Sequence, residues 1–96
     1  MLDYAGWADK YKGDFFPPTD GFYKIVEHVP VGVCAGITAW NASLHFVAWK
    51  TAPALATGNT IILKPSEKSP LGTLAFGYLI SKAGFPPGVF QVVVGT

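Results

Sequence analysis

The sequence predicts an α/β fold: residues 31–96 form a β-α-β-α-β array carrying a three-stranded parallel sheet, preceded by a helix tail (residues 1–13) and an extended ribbon (residues 14–30). Three observations predict it. Gly32–Thr38, Thr60–Leu63 and Val89–Val94 are short, nearly all-apolar runs, the pattern of strands buried on both faces. Segments of helical length lie between them and end at Gly58-Asn59 and Gly84, residues that close helices. Strands that alternate with helices join by right-handed crossovers, and such crossovers make the strands parallel.

Taken in order, Leu2, Ala5, Gly6 and Trp7 fall on one side at helical spacing, with Asp9, Lys10 and Lys12 elsewhere, and Gly13 ends the segment. It reads as the tail of a helix that begins earlier in a longer relative. Asp14–Gly21 carries Pro17-Pro18 and Asp20-Gly21 and reads as a turn region. Phe22–Val31 alternates, with aromatic and charged residues on both faces, as an exposed ribbon without a partner does. Asn41 or Ser43 is placed to cap the helix Leu44–Thr57. Pro53 lies inside that helix and is expected to kink it, at a cost of about 3 kcal/mol unless packing compensates. Ser69 is the expected N-cap of the second helix, with Pro70 in its first position, and the helix closes near Lys82–Gly84.

Composition narrows the function. Half of the 96 residues are hydrophobic and 14% are charged, whereas ordinary domains carry roughly 25% charged residues. So apolar a chain cannot hide its surface at this length, and a piece of a larger protein is expected. The net charge is +1, with seven Lys and no Arg in no basic stripe; nucleic acid is not an expected partner. Cys34 stands alone, which rules out an internal disulfide and suits a reducing compartment. The opening MLDYAGWADKYKGDFF lacks the pattern of a signal peptide, and no window of 18 residues is uninterruptedly apolar. The expectation is a cytoplasmic protein with no membrane span.

The candidate site follows from the topology. Trp40-Asn41 and Lys64-Pro65-Ser66-Glu67 fall where neighbouring parallel strands end. Open α/β sheets bind ligands at those carboxyl ends. The glycine fingerprint G-x-G-x-x-G is absent, only Gly32 and Gly36 standing in the first strand, so no phosphate-cradling glycine loop is supplied here. On the residues alone, Asn41 is either a helix cap or an amide donor to a ligand. Lys64 and Glu67 are either a solvated pair or a grip on polar hydroxyls. Cys34 lies within a strand between Val33 and Ala35, with no base in local reach, and reads as a small hydrophobe. His28 and His45 lack ligand spacing, so no metal site is expected.

The strings PVGVCAGITAWN, AWK and PALATGN, KPSEKSPL and AGFPPGVFQVVVGT run in unbroken order from Pro30 to Thr96. Together they resemble consecutive blocks of the cofactor-binding domain of the aldehyde dehydrogenase superfamily; the ribbon before them resembles it more weakly. The resemblance implies an atypical, Rossmann-like sheet that binds NAD. In that chemistry a cysteine attacks the aldehyde, hydride leaves to the cofactor, and water hydrolyses the thioester. Asn41 then matches the amide donor of the oxyanion hole. Lys64 and Glu67 match the ribose contacts, and a carboxylate there repels a 2′-phosphate, so NAD is expected over NADP. Ile37, Thr38, Ala39 and Trp40, with Asn41, match the segment behind the nicotinamide half, and Ser66 stands towards the adenine. Lys50 matches a lysine near the active site, or is a snorkelling surface lysine.

The chain departs from the family pattern at Ala39, where a proline is usual, and at Ala42-Ser43, where an aromatic residue and a proline are usual. Losing the proline loosens the turn that carries Asn41, and Ala42 hints at an unusual substrate. The resemblance places the nucleophile and general base beyond Thr96, so the isolated chain is expected to be inactive. The aldehyde would be a substrate of the complete enzyme only, a homo-oligomer in which residues of about 12–30 reach a neighbouring subunit. The alternatives are a non-catalytic fragment that pairs with a full-length subunit by strand addition, or a non-functional gene fragment.

Overall fold

The computed structural model describes residues 1–95 and has the expected α/β architecture. Helix α1 (Leu2–Trp7) leads into two short strands, β1 (Asp14–Phe16) and β2 (Lys24–Val26). Strand β3 (Val33–Ile37), helix α2 (Ser43–Ala56), strand β4 (Thr60–Lys64), helix α3 (Leu71–Lys82) and strand β5 (Phe90–Val92) then alternate. The last three strands form a parallel sheet in the order β3-β4-β5, with Val33 opposite Thr60 and Ile61 opposite Phe90. Handedness of the connections aside, this is the array that the apolar runs demanded.

The ribbon differs from expectation. Asp14–Phe16 is a strand rather than part of a turn, and it pairs antiparallel with β2, Phe15 opposite Ile25. Only three residues of Phe22–Val31 are extended in a ladder. The partner that the alternating segment lacked on paper lies just upstream, across Pro17-Pro18 and Asp20-Gly21, where Gly21 adopts φ 85°. Lys24 Nζ lies 2.6 Å from an Asp20 carboxylate oxygen. That ammonium, followed by the Phe22 N–H, holds the Asp20 carboxyl below its usual range. Phe22, Tyr23 and Ile25 all remain exposed.

The core is small and lies on one side of the parallel sheet. Val47 of α2 packs on Ile61 and Leu63 of β4, with Cys34, Ala54, Leu55, Phe76 and Phe90 around them. Both helices cover this side, because α2 packs on β4 and α3 on β5 and the two meet. Gly36 of β3 allows the approach: a Cβ there would stand 2.8 Å from Leu63 Cδ2 and 3.1 Å from Lys50 Cδ. Strand β3 is therefore not buried on both faces as expected. Val33 is 72% exposed and Ile37 74% exposed, because β3 is an edge strand and, among the described residues, no element covers the second face of the sheet. The radius of gyration is 16.8 Å, against about 12–13 Å for a compact chain of this length.

Helix boundaries also shift. The N-cap of α2 is Ala42, so neither Asn41 nor Ser43 caps it, and the N-cap of α3 is Pro70 rather than Ser69. Neither helix has a side-chain cap. Pro53 sits in the last turn of α2, where the helix runs on to Ala56, and Thr57 returns its N–H and hydroxyl to the Pro53 carbonyl. Asn59 joins the pieces: its Oδ1 accepts from the Gly32 N–H at 2.9 Å and its Nδ2 donates to Ala54 O and Thr57 Oγ1. The beginning of β3, the end of α2 and the start of β4 are thereby fixed together. No helix among the described residues is long and apolar enough to cross a membrane.

Candidate cofactor-binding site

The parallel register sets Ile37 opposite Lys64, so the segments following β3 and β4 emerge side by side at the carboxyl edge of the sheet. The ladder extends one step further, as the Thr38 N–H donates to Lys64 O at 3.1 Å. Beyond it, Ala39, Trp40 and Asn41 are exposed, while Ser66 is half-buried and Glu67 exposed. Between them Pro65 is buried, which turns Ser66 and Glu67 outward from the end of β4.

Thr38 is buried at 4% exposure and its Oγ1 has no hydrogen-bond partner, as is also true of Thr51 Oγ1 in α2 and Thr73 Oγ1 in α3. Among the described residues, neither Lys64 nor Glu67 enters an ion pair; the two salt bridges are Lys10–Asp9 and Lys24–Asp20. An ammonium and a carboxylate thus share one edge, a donor and an acceptor suited to sugar hydroxyls and a polar cofactor. Ile37 differs from its neighbours, since its side chain belongs to the uncovered face of the sheet.

The turn carrying Asn41 is tied to the segment after β4. Ser69 Oγ donates to Trp40 O at 2.9 Å, and Ser43 Oγ lies 2.8 Å from Ser69 Oγ. Lys68 Nζ stands 6.0 Å from the Trp40 ring centroid, at the limit of a cation–π contact. The backbone N–H of Lys68 is directed to Ser66 Oγ at 3.3 Å, and Ser69 N–H to Ser66 O at 3.2 Å, which shapes residues 66–69 as a turn. Sequence reasoning placed Ser43 and Ser69 as caps and missed these cross-links, because local spacing says nothing about two serines that are 26 residues apart.

Two remaining candidates lie away from this edge. Cys34 is half-buried against the core cluster, between the sheet and the helices. Lys50 is exposed, and its stem lies over Gly36. It also borders an open cleft of about 360 Å³ with Tyr4, Phe46 and Trp49. His45 stacks obliquely on Trp49, with centroids 4.2 Å apart. Among the described residues no group of three His, Cys, Asp or Glu side chains is placed to hold a metal.

Comparison with known proteins fits this geometry. The sequence model of the aldehyde dehydrogenase family matches residues 1–96. Human retinaldehyde dehydrogenase 3 is 51% identical over 92 residues, which is 96% of this chain and 18% of that protein. Human mitochondrial aldehyde dehydrogenase is also 51% identical over 92 residues. The crystal structure of PnpE with nicotinamide adenine dinucleotide superposes with a TM-score of 0.92 at 48% identity, covering 98% of this chain and 19% of that one. The NAD⁺ complex of the Bacillus cereus aldehyde dehydrogenase does so with the same TM-score at 44% identity. The chain therefore spans about a fifth of the length of the relatives it matches. Its matched sequence and its parallel sheet together show that the chain belongs to the aldehyde dehydrogenase family.

Proposed function

We propose that this chain supplies half of the NAD site and one oxyanion donor of an enzyme that oxidises an aldehyde to its carboxylic acid. The observation that carries the reading is the carboxyl edge of β3 and β4, where Lys64 and Glu67, in no ion pair among the described residues, stand beside the exposed Asn41. Glu67 accepts from the ribose hydroxyls and Lys64 donates to one of them. The segment Ile37–Trp40 backs the nicotinamide half, and Ser66 stands towards the adenine. When bound, NAD supplies the acceptor for the hydride.

The chain's own part in the chemistry is electrostatic. As a nucleophile adds to the carbonyl, negative charge collects on the aldehyde oxygen, and the Asn41 amide stabilises that charge by donating a hydrogen bond to it. The nucleophile is not Cys34, the one cysteine here, which is packed among apolar side chains. The isolated chain is accordingly inactive towards aldehydes. Glu67 sets the cofactor preference, since its charge opposes a 2′-phosphate.

Kinetics of Glu67→Gln in the native polypeptide test the reading. A hydrogen bond to a charged group is worth about 1.5–3 kcal/mol, so the KM for NAD should rise about ten- to a hundredfold. Discrimination against NADP should shrink with it. An unchanged KM and an unchanged NAD/NADP ratio would remove Glu67 from the site.

A second reading concerns assembly. Phe22, Tyr23, Ile25 and Val29 are each at least 70% exposed on and beside the β1-β2 ribbon, and an uncovered two-stranded ribbon is marginal alone. Association of the ribbon with another subunit, in a homo-oligomer, buries those side chains. Cross-linking from the ribbon distinguishes this from a ribbon that folds back on its own protein. The compartment is proposed to be the cytosol, although two relatives carry "mitochondrial" in their names; fractionation of the source cells decides it.

A further inference from the structure

Both serines expected to cap helices are engaged elsewhere. Ser43 is the first residue of α2 and Ser69 immediately precedes the N-cap of α3, yet neither hydroxyl reaches its own helix's free N–H groups. An Asn, Ser or Thr cap is commonly worth about 1 kcal/mol, so two helices begin without one. The hydroxyls meet each other instead, Oγ to Oγ at 2.8 Å.

Proton counting orients the pair. Each serine hydroxyl has one proton. With the Ser69 proton directed to Trp40 O at 2.9 Å, Ser43 donates to Ser69 in the short contact, the arrangement that uses the two shortest distances. The other acceptors within reach of Ser43 are more distant, Ser69 O at 3.3 Å and Trp40 O at 3.4 Å. The result is a directed chain, Ser43 O–H to Ser69 O–H to Trp40 C=O, in which each bond polarises the next. It ends on a turn with no proline and two alanines, Ala39 and Ala42.

The Trp40 carbonyl belongs to the planar peptide unit that also contains the Asn41 N–H. Fixing that carbonyl fixes the plane from which Asn41 projects. We propose that Ser43 and Ser69 form a hydroxyl clasp that positions Asn41, and that couples the turn after β3 to the turn that follows Glu67. The two serines are positioning residues, and their effect on turnover rests on the reading of Asn41 as the oxyanion donor.

Ser43→Ala, Ser69→Ala, the double variant, Ser69→Thr and Asn41→Ala, all made in the native polypeptide, test it by two readouts. Amide exchange over Trp40–Leu44 should quicken to a similar extent in either alanine variant and in the double, while exchange in Thr60–Lys64 stays put. The kcat for aldehyde oxidation should fall about five- to tenfold in each single variant, the net value of one hydrogen bond, and no further in the double. The KM for NAD should change less than twofold, and Ser69→Thr, which keeps the hydroxyl, should restore kcat. Unchanged exchange at Trp40–Leu44, or losses that add in the double variant, would overturn the clasp. If Asn41→Ala leaves kcat unaltered, the oxyanion reading fails separately, and the exchange data alone then decide whether the clasp exists.

Discussion

Replacing Asn59 with alanine tests how the two halves of the site are brought into line. Asn59 is 7% exposed and makes three side-chain hydrogen bonds: Gly32 N–H to Oδ1 at 2.9 Å, Nδ2 to Thr57 Oγ1 at 2.8 Å and Nδ2 to Ala54 O at 3.2 Å. At a net value of about 0.5–1.5 kcal/mol each, their loss alone reaches about 1.5–4.5 kcal/mol. The low half of that range applies, since Gly32 and Thr57 are exposed enough for water to replace the amide, and Ala54 O keeps the Asn59 backbone N–H at 2.9 Å. The expected destabilisation is about 2–3 kcal/mol. Asn59→Asp is a sharper probe, for it keeps the acceptor towards Gly32 and turns both donors into acceptors; it should be no better than alanine. Urea unfolding followed by far-UV circular dichroism gives the energies, and amide exchange at Gly32 reports the lost bond. A change below about 0.5 kcal/mol, or an aspartate variant as stable as the parent, would show that Asn59 does not hold β3, α2 and β4 together.

Other outcomes are expected from the same structure. Asn41→Ala should lower kcat about 10²- to 10³-fold with little change in the KM for NAD, the signature of a donor acting in the transition state; steady-state kinetics read it. Leu63→Ala, at a side chain with 0% exposure beneath α2, should cost about 3 kcal/mol of stability, measured by chemical denaturation. Lys24→Ala should let the Asp20 carboxyl rise towards its ordinary value, because the ammonium is the first cause of its lowering. A carboxyl held low in the folded state contributes stability above its unfolded pKa and loses it as pH falls through the folded one. Removing Lys24 should therefore flatten that acid-side dependence, followed by carboxyl NMR titration.

The fold was legible wherever apolar pattern and punctuation agreed. Gly32–Thr38 and Thr60–Leu63, separated by a helix ending at Gly58-Asn59, left little choice but a parallel pair, and the register then brought Ile37 to Lys64. What could not be read depended on contacts distant in sequence. The burial of β3 was misjudged because a run of apolar residues reports what a strand is suited to, not which neighbours cover it. Strand β1 was missed because Asp14–Phe16 abuts Pro17-Pro18, where turn chemistry dominates a three-residue strand. Capping failed at Ser43 and Ser69 for a physical reason: a hydroxyl beside a helix start competes between its own backbone and any partner across the loop, and here the partner across the loop prevails. The candidates Trp40-Asn41 and Lys64–Glu67 were placed from the strand ends, and Thr38 from the family resemblance alone, while the unpartnered state of Thr38 Oγ1 needed coordinates.

The central claim is that the carboxyl edge of β3 and β4 holds NAD. Hydrogen–deuterium exchange of the native polypeptide, with and without saturating NAD, tests it most directly. Protection concentrated in residues 37–41 and 64–67, and diminished in Glu67→Gln, is the predicted result. NAD-dependent protection that leaves both segments unchanged would contradict the account.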